Sequence, residues 1–182
     1  MAEEKVEKEE RIDNVERLEA FVERFNRKYR EKAEKTRKEY LERNRLFEQY
    51  KKHVTDLFDL IESRVTGTPI RSNREYVAVE RKISIFESTT EHLEKLTLTL
   101  ENFRLHFIPE GINYQTGAAS LRIEHNNPRE QPQTIYLHLR LVNKSESNPL
   151  GELAWMVKIG FRNFSIFSGE ILERLLESVF LS

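Results

Sequence analysis

The side chains best suited to proton transfer or metal ligation near neutral pH are five histidines, His53, His92, His106, His125 and His138. None stands in HExxH or a similar ligand spacing, and the sequence has no GxxxxGK[ST], GxGxxG or GxSxG motif. His106 and His138 could be neighbours if their strands pair. Both alternate out of phase with the apolar residues around them, which places them on a solvated face. Aspartate occurs only at Asp13, Asp56 and Asp59, all within the first 66 residues, so the rest of the chain offers only glutamate for a triad or a cation. Cysteine is absent, which removes disulfides, thiolate metal sites and cysteine nucleophiles. No set of residues combines a nucleophile, a base and a positioning group. The expectation is a non-enzymatic protein with no cofactor, no metal and no small-molecule substrate.

Charge and hydropathy narrow the partners. A net charge of −1 and a pI of about 6.6 provide no bulk attraction to nucleic acid, so no direct nucleic-acid partner is expected. The segment KYREKAEKTRK (28–38) is locally basic. It reads either as a patch for an acidic partner or phosphate backbone, or as a solvated helix face, and the second reading is preferred. No apolar run reaches the ~18 residues of a membrane-spanning helix. The charged N-terminus lacks the apolar region of a signal peptide, so an intracellular protein is expected.

The elements that would have to position any site follow from the backbone breakers. Residues 1–66 contain no glycine and no proline; all six glycines and five prolines come later, beginning at Gly67 and Pro69. The same 66 residues hold 17 Lys+Arg and 17 Asp+Glu, the balanced charge of a solvated helix surface. Val15, Leu18, Val22, Phe25 and Tyr29 follow steps of three and four, and so do Phe47, Tyr50, Val54, Leu57 and Ile61. These ten residues read as the partner-binding seam of a coiled coil. The step from Thr36 to Phe47 is eleven residues rather than seven, a stutter. Continuing the register puts Lys32 and Glu39 at core positions and turns Tyr40 and Arg43 toward the seam. In a parallel homodimer Lys32 would face Lys32 and Arg43 would face Arg43, so a heterodimer with a different coiled-coil chain is expected.

Three segments follow from this reading: a coiled-coil helix at 1–66, a break and second helix at 67–95, and a globular domain at 96–182. Within 67–95, TGTPIRSN (66–73) is a break or short loop. Tyr76, Val79, Ile83, Phe86 and Leu93 fit helical spacing, whereas Val77, Val79, Ile83 and Ile85 alternate as in a strand. The helical pattern covers more residues, and a helix is taken at about 73–95. Beyond it, Leu96, Leu98 and Leu100, then Phe103, Leu105 and Phe107, alternate with polar residues. Pro109-Glu110-Gly111 reads as a turn, Leu121 and Ile123 flank Arg122 in a short strand, and HNNPREQPQ (125–133) is a polar loop. Ile135, Leu137, Leu139 and Leu141 mark the cleanest strand. Short connections imply an antiparallel sheet. Leu150 to Ile159 is open to either a strand or a buried helix. Ser168 suits an N-cap, and Ile171, Leu172, Leu175, Leu176, Val179 and Phe180 form the apolar stripe of a closing helix. The fold class is α+β, with one hydrophobic core.

RNFSIF (162–167) followed by a terminal amphipathic helix resembles the end of the RWD-tailed small subunits of the four-chain kinetochore Ndc complex, of the Spc-twenty-five type. LRIEHNNPREQPQTIYLHLRL (121–141) is similar to that family's strand, proline-containing loop and strand. NPLGELAWMVKIG (148–160) is similar to the helix leading into its Asn-Phe-Ser stretch. The resemblance implies an RWD-like domain with a helix at 150–160. It also implies pairing by coiled coil with a sister subunit and anchoring of a microtubule-attachment complex to inner-kinetochore proteins. The implied location is the nucleus, at the centromere and kinetochore of chromosomes. The family's recruiting groove lies between two globular domains; Phe164 and Phe167 match the motif and read as core packing. A generic coiled-coil adaptor with an α+β head in another intracellular assembly is the alternative.

Overall fold

The computed structural model describes residues 2–82, 87–113, 118–142, 152–159 and 163–181, apart from the side chains of residues 2–16, 82, 141 and 159. The elements run α1 (Ala2–Val65), β1 (Arg71–Lys82), β2 (Ser88–Leu100), β3 (Phe103–Asn113), β4 (Ala118–His125), β5 (Thr134–Val142), β6 (Glu152–Ile159), β7 (Asn163–Ile166) and α2 (Gly169–Leu181). The fold is α+β, with seven strands in one antiparallel sheet of order β1 to β7. The chain forms two compact units, 1–42 and 43–182, so the division falls inside α1 rather than at residue 66. Each is described by itself.

In the second unit, the last part of α1 is the centre of the core. Phe47, Tyr50, Val54, Leu57, Phe58, Ile61 and Val65 are all buried. Steps of three and four set them on one helical stripe. Five of these residues were expected to face another chain; they face this chain's own sheet instead. Rows of apolar side chains cross the strands opposite them. Leu96 pairs with Phe107 and Phe107 with Ile123, while Leu121 pairs with Leu137 and Leu137 with Val157. The period-two alternation makes one sheet face apolar, and that face needs a cover. The helix stripe supplies it.

Three polar ties fix α1 against the sheet. The Tyr50 hydroxyl donates to the Ser120 carbonyl at 2.7 Å and accepts from the Gly111 N–H at 3.1 Å. Trp155 Nε1–H donates to the His53 carbonyl at 3.1 Å. Arg74 bridges Asp59 and Glu62 on the helix and Glu94 on β2, at 2.6, 2.7 and 2.9 Å. Strands β1, β3, β4 and β6 thus all reach the same helix.

The expected second helix at 73–95 is a β-hairpin. The alternation at Val77 and Val79 prevailed over the helical spacing, because an antiparallel partner and a helix surface to cover were both present. Tyr76, which helical spacing would place on the apolar stripe, is 71% exposed. Ile83, Ile85 and Phe86 lie outside the described residues. Strand β2 pairs with β3 only from Leu96 to Leu100. The remainder of β1 and β2 is a two-stranded ribbon, and such ribbons twist strongly. The twist shows in burial: Leu96 and Leu98 are buried, and so are Leu93 and Val79 of the opposite parity. At the ribbon's end the Arg81 guanidinium lies over the Phe47 ring at 4.8 Å.

Pro109-Glu110-Gly111 is a bulge within β3 rather than a turn. Gly111 has φ of 92°, and a Cβ there would lie 2.9 Å from Val79 Cγ1. The position needs glycine for both its conformation and its close contact. The reversal lies earlier, at Glu101-Asn102, where Leu100 pairs with Phe103 and Glu101 has φ of 53°.

The segment expected as a helix at 150–160 is strand β6 where it is described, at Glu152–Ile159. Trp155 and Val157 are buried, Leu153 packs against the core, and Lys158 is exposed. On the other face Met156 pairs with Ile166 of β7. The terminal helix forms as expected. The Ile171 N–H approaches Ser168 Oγ at 3.4 Å, Glu170 lies in the first turn, and Leu172, Val179 and Phe180 are buried. Asn127 in the β4–β5 loop is fully buried and donates from Nδ2 to the Val179 carbonyl at 3.0 Å, tying α2 to the loop.

Candidate interaction site

The first unit is helical from Ala2, and every residue from 17 to 42 is exposed. Most of this surface carries charge, with Lys38 and Glu34 paired at 3.3 Å across one turn. Tyr40 and Leu41 are exposed near its end, and five earlier apolar side chains fall on one side. Leu18, Val22, Phe25 and Tyr29 are expected seam residues, and all four are exposed; Phe25 is 59% and Tyr29 68% accessible. Val15 lies in the same helix, with its side chain outside the described ones. Phe21 joins them: its ring stacks on Phe25, with centroids 6.1 Å apart. The seam pattern omitted Phe21, although its separation of four from Phe25 was a readable signal.

Five large apolar side chains at helical spacing, all in water, are costly to leave uncovered. Burying each stabilises by roughly 1.5–3 kcal/mol. A helix that is exposed all round has no tertiary packing to hold it, and packing supplies most helical stability in proteins. The stripe is an exposed apolar surface on an otherwise charged stretch of helix.

Nine of the ten predicted seam residues have described side chains, and they separate into two groups. Leu18, Val22, Phe25 and Tyr29 stand free on the helix. Phe47, Tyr50, Val54, Leu57 and Ile61 are closed within the core and are not available to a partner. The break in register between Tyr29 and Phe47 spans the boundary of the two units. It marks where the helix changes the kind of surface it covers.

The histidines do not converge. His106 and His138 lie on β3 and β5, with β4 between them: His106 pairs with Glu124 and His138 with Ser120. His106 Nδ1 is 3.0 Å from Thr97 Oγ1. His138 meets the Phe164 ring edge-on at 5.9 Å, and the Arg140 guanidinium lies over the same ring at 3.9 Å. Partial burial lowers the pKa of His53, His106 and His138, and neighbouring cations add to the shift: Lys52, Lys95 with Arg104, and Arg140 with Lys158, respectively. His125 is buried, with Nε2 3.1 Å from the Pro132 carbonyl, while His92 is exposed. Tyr50 is pushed far above the usual phenol range by burial, so its hydroxyl stays protonated and serves structure.

Elsewhere the polar face of the sheet is occupied by ion pairs. Glu110 accepts from Arg122 Nε at 3.0 Å, Arg122 also pairs with Glu124, and Lys95 with Glu75 at 2.5 Å. Among the described residues no group of three or more His, Asp or Glu side chains could hold a metal ion. Among them also, no helix is long and apolar enough to cross a membrane. The basic segment 28–38 is exposed along the same helix as the apolar stripe. Comparison with protein-family models, with curated proteins and with solved structures finds no match to this chain.

Proposed function

We propose that the chain is a non-enzymatic assembly subunit that joins another helix through residues 17–42, while residues 43–182 form a folded head. The observation that carries this reading is the exposed stripe of Leu18, Phe21, Val22, Phe25 and Tyr29 on a helix exposed throughout residues 17–42. The head supports an adaptor role by its construction. Several of its charged groups lie in ion pairs, and Arg74 ties α1 to the sheet.

A narrower reading is a kinetochore subunit of the RWD-tailed Spc-twenty-five type, in which the head would anchor the complex to inner-kinetochore proteins. The Asn163-Phe164-Ser165 stretch followed by α2 favours it. The strand at β6, where that family would have a helix, removes one of the three segments on which the likeness rested.

The test is co-purification from the native cells with the tagged full chain and with a V22D/F25D variant. The two aspartates enter the stripe outside the head, so the head's thermal transition is expected to stay unchanged. A partner retained by the native chain and lost with the variant supports the reading. Equal capture by both chains would place the binding surface elsewhere.

A further inference from the structure

The charge on the helix is polarised along its length. Residues 3–19 carry eight acidic and four basic side chains, a net of −4. Residues 24–38 carry eight basic and two acidic, a net of +6. The apolar stripe lies between and across these blocks, and reads three, four, three, four in steps. Such a helix is complementary to itself when reversed.

We propose that residues 5–42 pair antiparallel with the same segment of a second copy of this chain, about a two-fold axis between Glu23 and Arg24. The inference rests on the reading of this helix as an assembly surface and names its partner. In that register Leu18 stands opposite Tyr29 and Val22 opposite Phe25, each pair occurring twice. Each core position of one heptad type meets the other type, as antiparallel knobs-into-holes packing requires. The acidic block of one copy runs along the basic block of the other, at separations within the ~8–10 Å Debye length of physiological salt. Reversal also removes the obstacle to self-pairing. A parallel pair sets Lys32 against Lys32 and Glu39 against Glu39. The antiparallel pair sets Lys32 opposite Val15 and Glu39 opposite Lys8. The basic run at 28–38 is then matched within the dimer and needs neither nucleic acid nor lipid as its counterion. Isologous pairing of this kind closes on itself and gives a dimer rather than a filament.

The chain's lack of cysteine makes the test direct. Leu18→Cys and Tyr29→Cys are made separately in the full chain. In the antiparallel pair, residue 18 and its own copy are offset by 11 residues, about 16 Å along the helix. A disulfide spans Cα atoms only about 4.4–6.8 Å apart. After oxidation, L18C alone and Y29C alone are expected to give no covalent dimer, and the two chains co-expressed are expected to give one. Sedimentation of the native chain at tens of micromolar should show a dimer, lost in V22D/F25D and weakened by high salt. Covalent dimers from L18C alone would overturn the antiparallel arrangement. A native chain that sediments as a monomer, yet captures a different protein in a stripe-dependent way, would overturn self-pairing and leave the assembly reading standing. A dimer indifferent to V22D/F25D would overturn both.

Discussion

The Tyr50 hydroxyl is the sharpest test of how the head is built. Tyr50→Phe keeps the ring, its place beside Phe47 and its edge contact with Trp155, whose centroid is 6.1 Å away. It removes one oxygen that serves two backbone groups, the Ser120 carbonyl and the Gly111 N–H. The Gly111 N–H is buried at the β3 bulge and has no new partner, so its loss costs about 1–3 kcal/mol. The partly buried Ser120 carbonyl can turn to water, and losing its bond costs about 0.5–1.5 kcal/mol. Together these amount to about 1.5–4.5 kcal/mol, a large share of a typical domain stability of about 5–15 kcal/mol. At roughly 3–5 °C per kcal/mol for a unit of this size, Tm should fall by about 5–22 °C. Urea and thermal unfolding followed through the fluorescence of Trp155 would measure it. Tyr29→Phe, on the exposed part of α1, is the control and should change nothing. A loss below about 0.5 kcal/mol for Y50F would show that the bulge does not depend on the helix. An effect on association without one on stability would return Tyr50 to an intermolecular seam.

Three further outcomes follow from the same architecture. A fragment 43–182 should unfold cooperatively, whereas 74–182 should not fold, because it lacks the seven buried α1 residues at the centre of the core; calorimetry of both fragments decides this, and for the same reason Leu57→Asp should unfold the head rather than merely block assembly. Deleting residues 169–182 removes buried Leu172, Val179 and Phe180, a loss of roughly 1.5–3 kcal/mol each that should abolish the cooperative transition seen by circular dichroism, while a transition at the original temperature would show α2 to be peripheral. Burial lowers the folded-state pKa of His53, His106 and His138 below the unfolded value of about 6.5, so the unfolded state takes up more protons; their stabilising contribution is complete above that value and falls as pH drops through it toward the folded pKa, and replacing the three by Gln should flatten the decline in Tm between neutral pH and pH 5.

The sequence alone determined every feature that depends on local chemistry. The absence of glycine and proline over 66 residues makes one long helix, because nothing interrupts its hydrogen bonds. Alternation around Leu98, Leu105, Leu121 and Leu137 makes strands of one sheet, and the Ser168 cap with its apolar stripe makes the closing helix. The apolar stripe at Leu18 to Tyr29 was legible too, since periodicity identifies a stripe. Periodicity does not say what covers it. Phe47 to Ile61 carry the same three-four spacing as Leu18 to Tyr29, yet one set is buried by the chain's own sheet and the other is bare. Only the tertiary structure decided between them, because the number of strands available to wrap the helix depended on segments whose local signal was ambiguous. Over 73–95 the helical pattern covered more residues than the strand alternation, and Leu150 to Ile159 was open to either a strand or a buried helix. Once those segments pair as strands, seven strands span enough surface to enclose seven helical residues of α1. The helix before them, residues 17–42, is exposed throughout and keeps its apolar stripe bare.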